Sequence, residues 1–238
     1  VMGVRMDVRV AKLSLLNTNW YIKQLRDLEP GVPIRYTDTY IDRVLTGLTE
    51  SAVMQSGWFW PEDRQVKAAG LTWTLPATAR RMLRVQDVMV LKVIDWNAWE
   101  RPIYFATTVS DENLVGLSAH LEMEGMAYRL VKGKTAGIHR ERTRRCLFES
   151  FRFRGVTDPG VYRDENTRNL LVNYHAIFIV LAEAYRSEGR TEEAYEVLKR
   201  CESVALPPED WRGYLLLAKG LLQIDRKEEA LQLIDRGL

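Results

Sequence analysis

Apolar and polar positions in the last third of the chain follow a pattern that is written twice. Leu181-Ala182-Glu183-Ala184-Tyr185 leads into Gly189-Arg190-Thr191-Glu192-Glu193-Ala194, and Leu217-Ala218-Lys219-Gly220-Leu221 leads into Asp225-Arg226-Lys227-Glu228-Glu229-Ala230. The offset is 36 residues throughout. A fixed period of this size predicts stacked helical hairpins. Ala182 and Ala218 let the two helices of each hairpin approach closely, Ala194 and Ala230 do the same on the second helices, and Tyr185 and Leu221 fill the space between. Gly189 and Asp225 fall where a helix must stop and turn. Thr191 with Glu192-Glu193 predicts a cap and favourable negative charge at the next helix start. Pro207-Pro208 forbids one continuous helix. The first helix is predicted over 170–185, with Asp164 or Asn166 near its cap.

These two units resemble the tetratricopeptide repeat. That repeat has a period of about 34 residues, so a small insertion is expected in the 205–209 loop. The resemblance implies a surface for a protein or peptide partner, with Tyr174, His175 and Tyr185 as candidate contacts. His175 has packing within its helix as the competing role. An array normally needs about three repeats to stand alone, and only two hairpins are legible. Together with a start at Val1, this gives the expectation that the chain is part of something longer.

The first half carries a different pattern. Asp7-Val8-Arg9-Val10 alternates, and 7–16 reads as a strand. Asn17-Thr18-Asn19 is then expected to cap a helix from Trp20 to Leu28, which stops before Pro30-Gly31. A long helix is predicted over 76–95, a strand over 101–108, a helix over 111–121 and a strand over 126–131. Leu71 to Leu75 reads as a short extended stretch that buries Trp73. Strands alternating with helices predict a parallel layer. The expected fold class is therefore α/β, a partial, mostly parallel, Rossmann-like layer, followed by an all-α tetratricopeptide-like region. The expected domains are 1–135 (α/β, lacking an upstream strand), a connector over 136–163, and the repeats over 164–238.

Composition fits a folded chain with a core: 46% of residues are apolar and the formal net charge is only +2. That near-neutral balance argues against a nucleic-acid surface. No apolar run reaches the roughly 18 residues of a membrane span. The two cysteines, Cys146 and Cys201, are far apart in sequence, and Cys201 reads as a buried free thiol.

Candidate chemistry is sparse. His120, His139 and His175 share no ligand spacing with each other or with the cysteines, so no metal site is expected. No nucleophile-elbow, phosphate-loop or dinucleotide pattern occurs in the sequence. No catalytic residue and no cofactor are expected. A ligand in an open parallel sheet sits beyond the carboxyl ends of the strands. That makes Asn17, Thr18, Asn19, Thr107 and Thr108 the candidate ligand contacts, with helix capping as the plainer role for Asn17 and Thr18. Trp58 and Trp60, in Trp58-Phe59-Trp60-Pro61, either stack on a sugar or plug a core under a loop. The run His139-Arg140-Glu141-Arg142-Thr143-Arg144-Arg145 either faces anionic headgroups or a lipid-phosphate donor, or is a solvated connector.

Four segments in order resemble the C-terminal region of a bacterial polytopic membrane family related to protein O-mannosyltransferases: Asp7-Val8-Arg9-Val10, then Leu13 to Ile22, then Arg101-Pro102-Ile103-Tyr104-Phe105-Ala106, then Glu124 to Val131. The family often ends in tetratricopeptide-like repeats. The resemblance implies a soluble, extracytoplasmic (periplasmic) region of a membrane glycosyltransferase-like protein, beside the membrane body of its parent chain. It would position an acceptor or partner protein, near a glycan or lipid-phosphate donor. The family's acidic strand end and its membrane-body carboxylate have no counterpart here. The alternative is a scaffold subunit that docks partners through its repeats.

Overall fold

The computed structural model describes residues 7–45, 59–77, 82–135 and 137–237. Contacts divide the chain into two compact units, Val1–Ile103 with Val109–Ser118, and Tyr104–Thr108 with Ala119–Leu238.

In the first unit, a 3-10 turn at Leu13–Asn17 runs through Thr18 into helix α1, Asn19–Asp27, which buries Ile22 and Leu25. Helix α2 starts at Asp38–Tyr40 and widens over Ile41–Leu45. Strands β1 (Arg64–Ala68) and β2 (Leu71–Leu75) form an antiparallel hairpin with Ala68 opposite Leu71. Its two-residue turn, Ala69-Gly70, has positive φ at both positions, as the tight hairpin turn requires. Along β2, Leu71, Trp73 and Leu75 are buried while Thr72 and Thr74 are exposed, a half-buried strand with period 2. The Trp73 indole donates to the Val115 carbonyl at 2.8 Å. Helix α3, Val85–Asn97, buries residues around most of its circumference.

The second unit begins with a three-stranded sheet, β3 (Tyr104–Ala106), β4 (Leu121–Glu124) and β5 (Ala127–Leu130), in the order β3-β5-β4. All pairings are antiparallel. Helix α4, Arg140–Arg145, widens over Cys146–Ser150. Four helices follow: α5 (Glu165–Ser187), α6 (Thr191–Ala205), α7 (Trp211–Leu222) and α8 (Lys227–Gly237). Asp164 caps α5 by accepting from the Thr167 N–H at 2.7 Å.

The two hairpins α5–α6 and α7–α8 are turned by the same bonds. Arg190 N–H reaches the Tyr185 carbonyl and Arg226 N–H reaches the Leu221 carbonyl, both at 3.0 Å. Gly189 and Asp225 both have positive φ. Phe178, Leu181, Tyr185, Leu198, Cys201, Leu217 and Leu221 lie in one core with Met123 and Leu147. Thr191 opens α6 rather than capping it; Arg190 holds the cap position.

The parallel, Rossmann-like layer is overturned. The described sheets have two and three strands and are antiparallel throughout. Residues 7–12 form no strand among the described residues; the Arg9 guanidinium donates to the carbonyls of Leu28, Glu29 and Pro30. The chain then tightens into the 3-10 turn. The helix expected over 111–121 is broken by Val115 and Gly116, both at positive φ; Ser118–His120 is a 3-10 turn and β4 starts at Leu121. Between β4 and β5 the chain has only Gly125-Met126, which can return a strand antiparallel but never parallel. The helix expected from residue 76 begins only at Val85, where the Asp87 carboxylate accepts from the Arg84 backbone N–H at 2.9 Å.

Candidate functional site

Asn17 is the expected ligand residue with the most definite role. Its Oδ1 accepts from the Gln86 backbone N–H at 3.0 Å and its Nδ2 donates to Gln86 Oε1 at 2.9 Å. Gln86 Nε2 and Arg84 Nη2 both donate to Asn113 Oδ1, at 2.9 and 2.7 Å. Arg84 also clasps the buried Asp87 through two bonds of 2.9 Å. The chain Asn17–Gln86–Asn113–Arg84–Asp87 pins three segments of the first unit together. Its buried members, Gln86 and Asp87, find their side-chain partners within it, as buried polar groups must. Thr18 Oγ1 donates to the Leu15 carbonyl, and Asn19 Nδ2 to Asp42 Oδ1. Neither Asn17 nor Thr18 caps α1 through its side chain.

Thr107 and Thr108 follow β3 in the second unit, whereas Asn17–Asn19 belong to the first. The shared strand edge expected for them does not form, since Leu13–Asn17 is a 3-10 turn and β3 is antiparallel to its neighbour. Trp58 lies outside the described residues. Trp60 is half-buried, donates to the Leu75 carbonyl at 3.3 Å and carries the Arg64 guanidinium 4.8 Å above its ring.

In the second unit, Glu124 gathers the basic run. Its carboxylate receives Arg142, Arg129 at 3.2 Å and the Tyr104 hydroxyl at 3.1 Å. Burial raises the Glu124 pKa, but the bonds from Arg142, Arg129 and Tyr104 outweigh it and hold the carboxyl below its ordinary value. Arg140 pairs with Glu188 at 2.5 Å and Arg144 with Glu196 at 3.0 Å. These arginines are thus spent inside the unit, against acids of β4, the C-cap of α5, and α6. Cys146 lies beside Gly125; burial, then Glu124, pushes its thiol pKa up, which keeps it a poor nucleophile. Cys201 is buried and its pKa is raised by burial. Among the described residues no group of three or more His, Cys, Asp or Glu is placed to hold a metal ion.

The residues expected to meet a partner are not on an open face. His175 is fully buried; its Nε2 stands 2.5 Å from the Ala205 carbonyl and its Nδ1 3.3 Å from Asp210 Oδ2. Tyr185 is fully buried beneath the Arg190 guanidinium, 4.4 Å away. Tyr174 packs edge-on against Phe153 at 5.5 Å. All three hold the hairpin to its neighbours.

The open apolar face is elsewhere, on the last hairpin. Trp211, Leu215 and Leu231 are 53%, 44% and 61% exposed. A cleft of about 230 Å³ lies between Trp211, Tyr214 and Leu215 of α7 and Ile234 and Gly237 of α8. The sequence carries a signal for it: α7 has Trp211, Leu215, Leu216 and Leu222 in addition to the Leu217, Ala218 and Leu221 that it buries. That is more apolar surface than one covered stripe needs.

Residues 40–145 match the family model described as TMEM260-associated domain 2. The match runs from α2 through α4 and is consistent with a domain of a TMEM260-like membrane protein. Neither the curated proteins nor the solved structures give a match. Among the described residues no helix is long and apolar enough to cross a membrane.

Proposed function

We propose that this chain is a non-catalytic region of a membrane glycosyltransferase-like protein related to protein O-mannosyltransferases. It stands on the extracytoplasmic (periplasmic) side of a bacterial membrane and positions an acceptor or partner protein, while chemistry takes place in the membrane body. The observation that carries this reading is the similarity of residues 40–145 to a domain associated with a membrane protein. The order of the four family-like segments supports it. So does the use of Glu124 and the basic run as internal ion pairs, which leaves those charges to structure. The test is a topology fusion to the complete reading frame. Alkaline phosphatase joined at the C-terminus should be active and green fluorescent protein dark; a fluorescent fusion, or a protein released from membranes by carbonate, would contradict the reading. Sugar transfer by the 238-residue chain alone would contradict its non-catalytic part.

A second reading, a scaffold that docks partners through tetratricopeptide-like hairpins, is favoured by one observation: the apolar cleft between α7 and α8.

A further inference from the structure

The first hairpin has the same face as the second, and there it is covered. Positions 36 residues apart correspond, so His175, Ile179, Tyr195 and Leu198 stand where Trp211, Leu215, Leu231 and Ile234 stand. Each of the first four packs on the second hairpin. A Cβ built on Gly213 would lie 2.9 Å from His175 Cε1, and one on Gly220 would lie 2.9 Å from Leu198 and 3.6 Å from Ile179. The Tyr195 hydroxyl donates to Glu229 at 2.8 Å. The helix that covers His175, Ile179 and Leu198 is α7, and it approaches this closely because glycines seven residues apart face the contact line. Of the corresponding residues, Trp211, Leu215 and Ile234 line the open cleft and Leu231 is exposed.

We infer that the outer face of α7–α8 is a docking site for one further amphipathic helix, seated as α7 sits on the first hairpin. The helix carries glycine or alanine at two positions seven residues apart along its contact stripe. This gives the docking reading its occupant and rests on it. The exchanges between the two faces sharpen the chemistry. Polar His175 and Tyr195 sit near Asp210 and Glu229, Tyr195 bonding to Glu229; Trp211 and Leu231 at the equivalent places ask for apolar neighbours instead. The indole is also larger than the imidazole, which strengthens the demand for a small residue opposite it. Lys219 is exposed between Leu215 and Leu222 on the same stripe, so a carboxylate on the incoming helix matches it.

The probe is a fluorescein-labelled peptide of residues 208–224, the sequence that already covers the equivalent face. It is titrated by anisotropy against the 238-residue chain. Saturable binding is expected, weakened at least about tenfold by Leu215→Glu or Leu231→Glu in the chain and by Gly220→Val in the peptide. Both leucines are exposed, so circular dichroism of the chain variants should overlay the parent; two variants on different helices guard against a folding artefact. Absence of saturable binding, or binding indifferent to Leu215→Glu and Leu231→Glu, overturns the inference. Sedimentation of the chain alone separates the two levels. Self-association abolished by Leu215→Glu, with no peptide binding, assigns the face to a second copy; this overturns the helix occupant but keeps the docking reading. Neither binding nor self-association overturns both.

Discussion

Asn17 and Glu124 show what single side chains contribute here. Asn17→Ala removes the two bonds that Asn17 makes to Gln86, a buried residue of α3, and leaves the Gln86 backbone N–H and amide oxygen short of a bond. The expected cost is about 1–3 kcal/mol, read as a lower urea midpoint at constant slope. Asn17→Asp keeps the acceptor for the N–H and should lose less. Glu124 has a folded-state pKa below its ordinary value, so its stabilisation is present above the unfolded pKa and disappears as pH falls through the folded one. Arg142 is half-exposed, which weakens its share. Glu124→Gln should therefore cost about 1–2 kcal/mol at neutral pH, and its melting temperature should converge with the parent's in acid. A gap that persists in acid would mean that the carboxylate charge is not the cause. In the first unit Tyr36, half-buried against Tyr40 and Trp96, is pushed up to about 12 by burial and by Tyr40. A raised tyrosine pKa favours the fold below the unfolded value and is lost as pH climbs toward 12. Absorbance at alkaline pH should show this phenol ionising together with unfolding.

Elements are held by a few close approaches. Gly116 sits at φ +77°, and a Cβ there would come 2.4 Å from the Thr74 carbonyl oxygen. Gly116→Ala combines a strained backbone with a clash against β2 and should cost more than about 2 kcal/mol, seen in thermal melts. Gly220→Val pushes against the buried Leu198 at the hairpin–hairpin contact and should cost about 1–3 kcal/mol. These two positions also mark what sequence reveals. The hairpins were legible because their period repeats and because small residues, Ala182, Ala194, Ala218 and Ala230, fall at matching places; all four are buried. The first half was legible only in pieces. The strands at 71–75, 104–106 and 127–130 lie within stretches that read as extended, whereas β1 buries only Ala68 and β4 starts at Leu121, the last residue of the expected helix that Val115-Gly116 breaks. Strand direction was misread because it is set by connection length, and an alternation of strand and helix patterns does not encode it. At the site level, His175 and Tyr185 look polar enough to face a groove, yet burial is decided by neighbours such as Ala205 and Arg190 that local sequence does not announce.

At the scale of the whole molecule, the repeat separates two kinds of apolar face. In the first hairpin the face is spent on the second, and removing it should be expensive: Leu198→Ala is expected to cost about 2–5 kcal/mol. In the second hairpin the corresponding surface is open, and Leu215→Glu should leave the melting temperature nearly unchanged. Glu124, Glu188 and Glu196 pair with arginines of the same unit, and this apolar cleft stays open. The most direct test is made in the full-length protein in its own membranes, with a photoreactive phenylalanine at position 215 and a control at the exposed Val180. Position 215, and not 180, is predicted to yield one discrete adduct whose mapped peptide is an amphipathic helix with glycine or alanine seven residues apart. An adduct with lipid, the same adduct from both positions, or none from 215 would contradict the account.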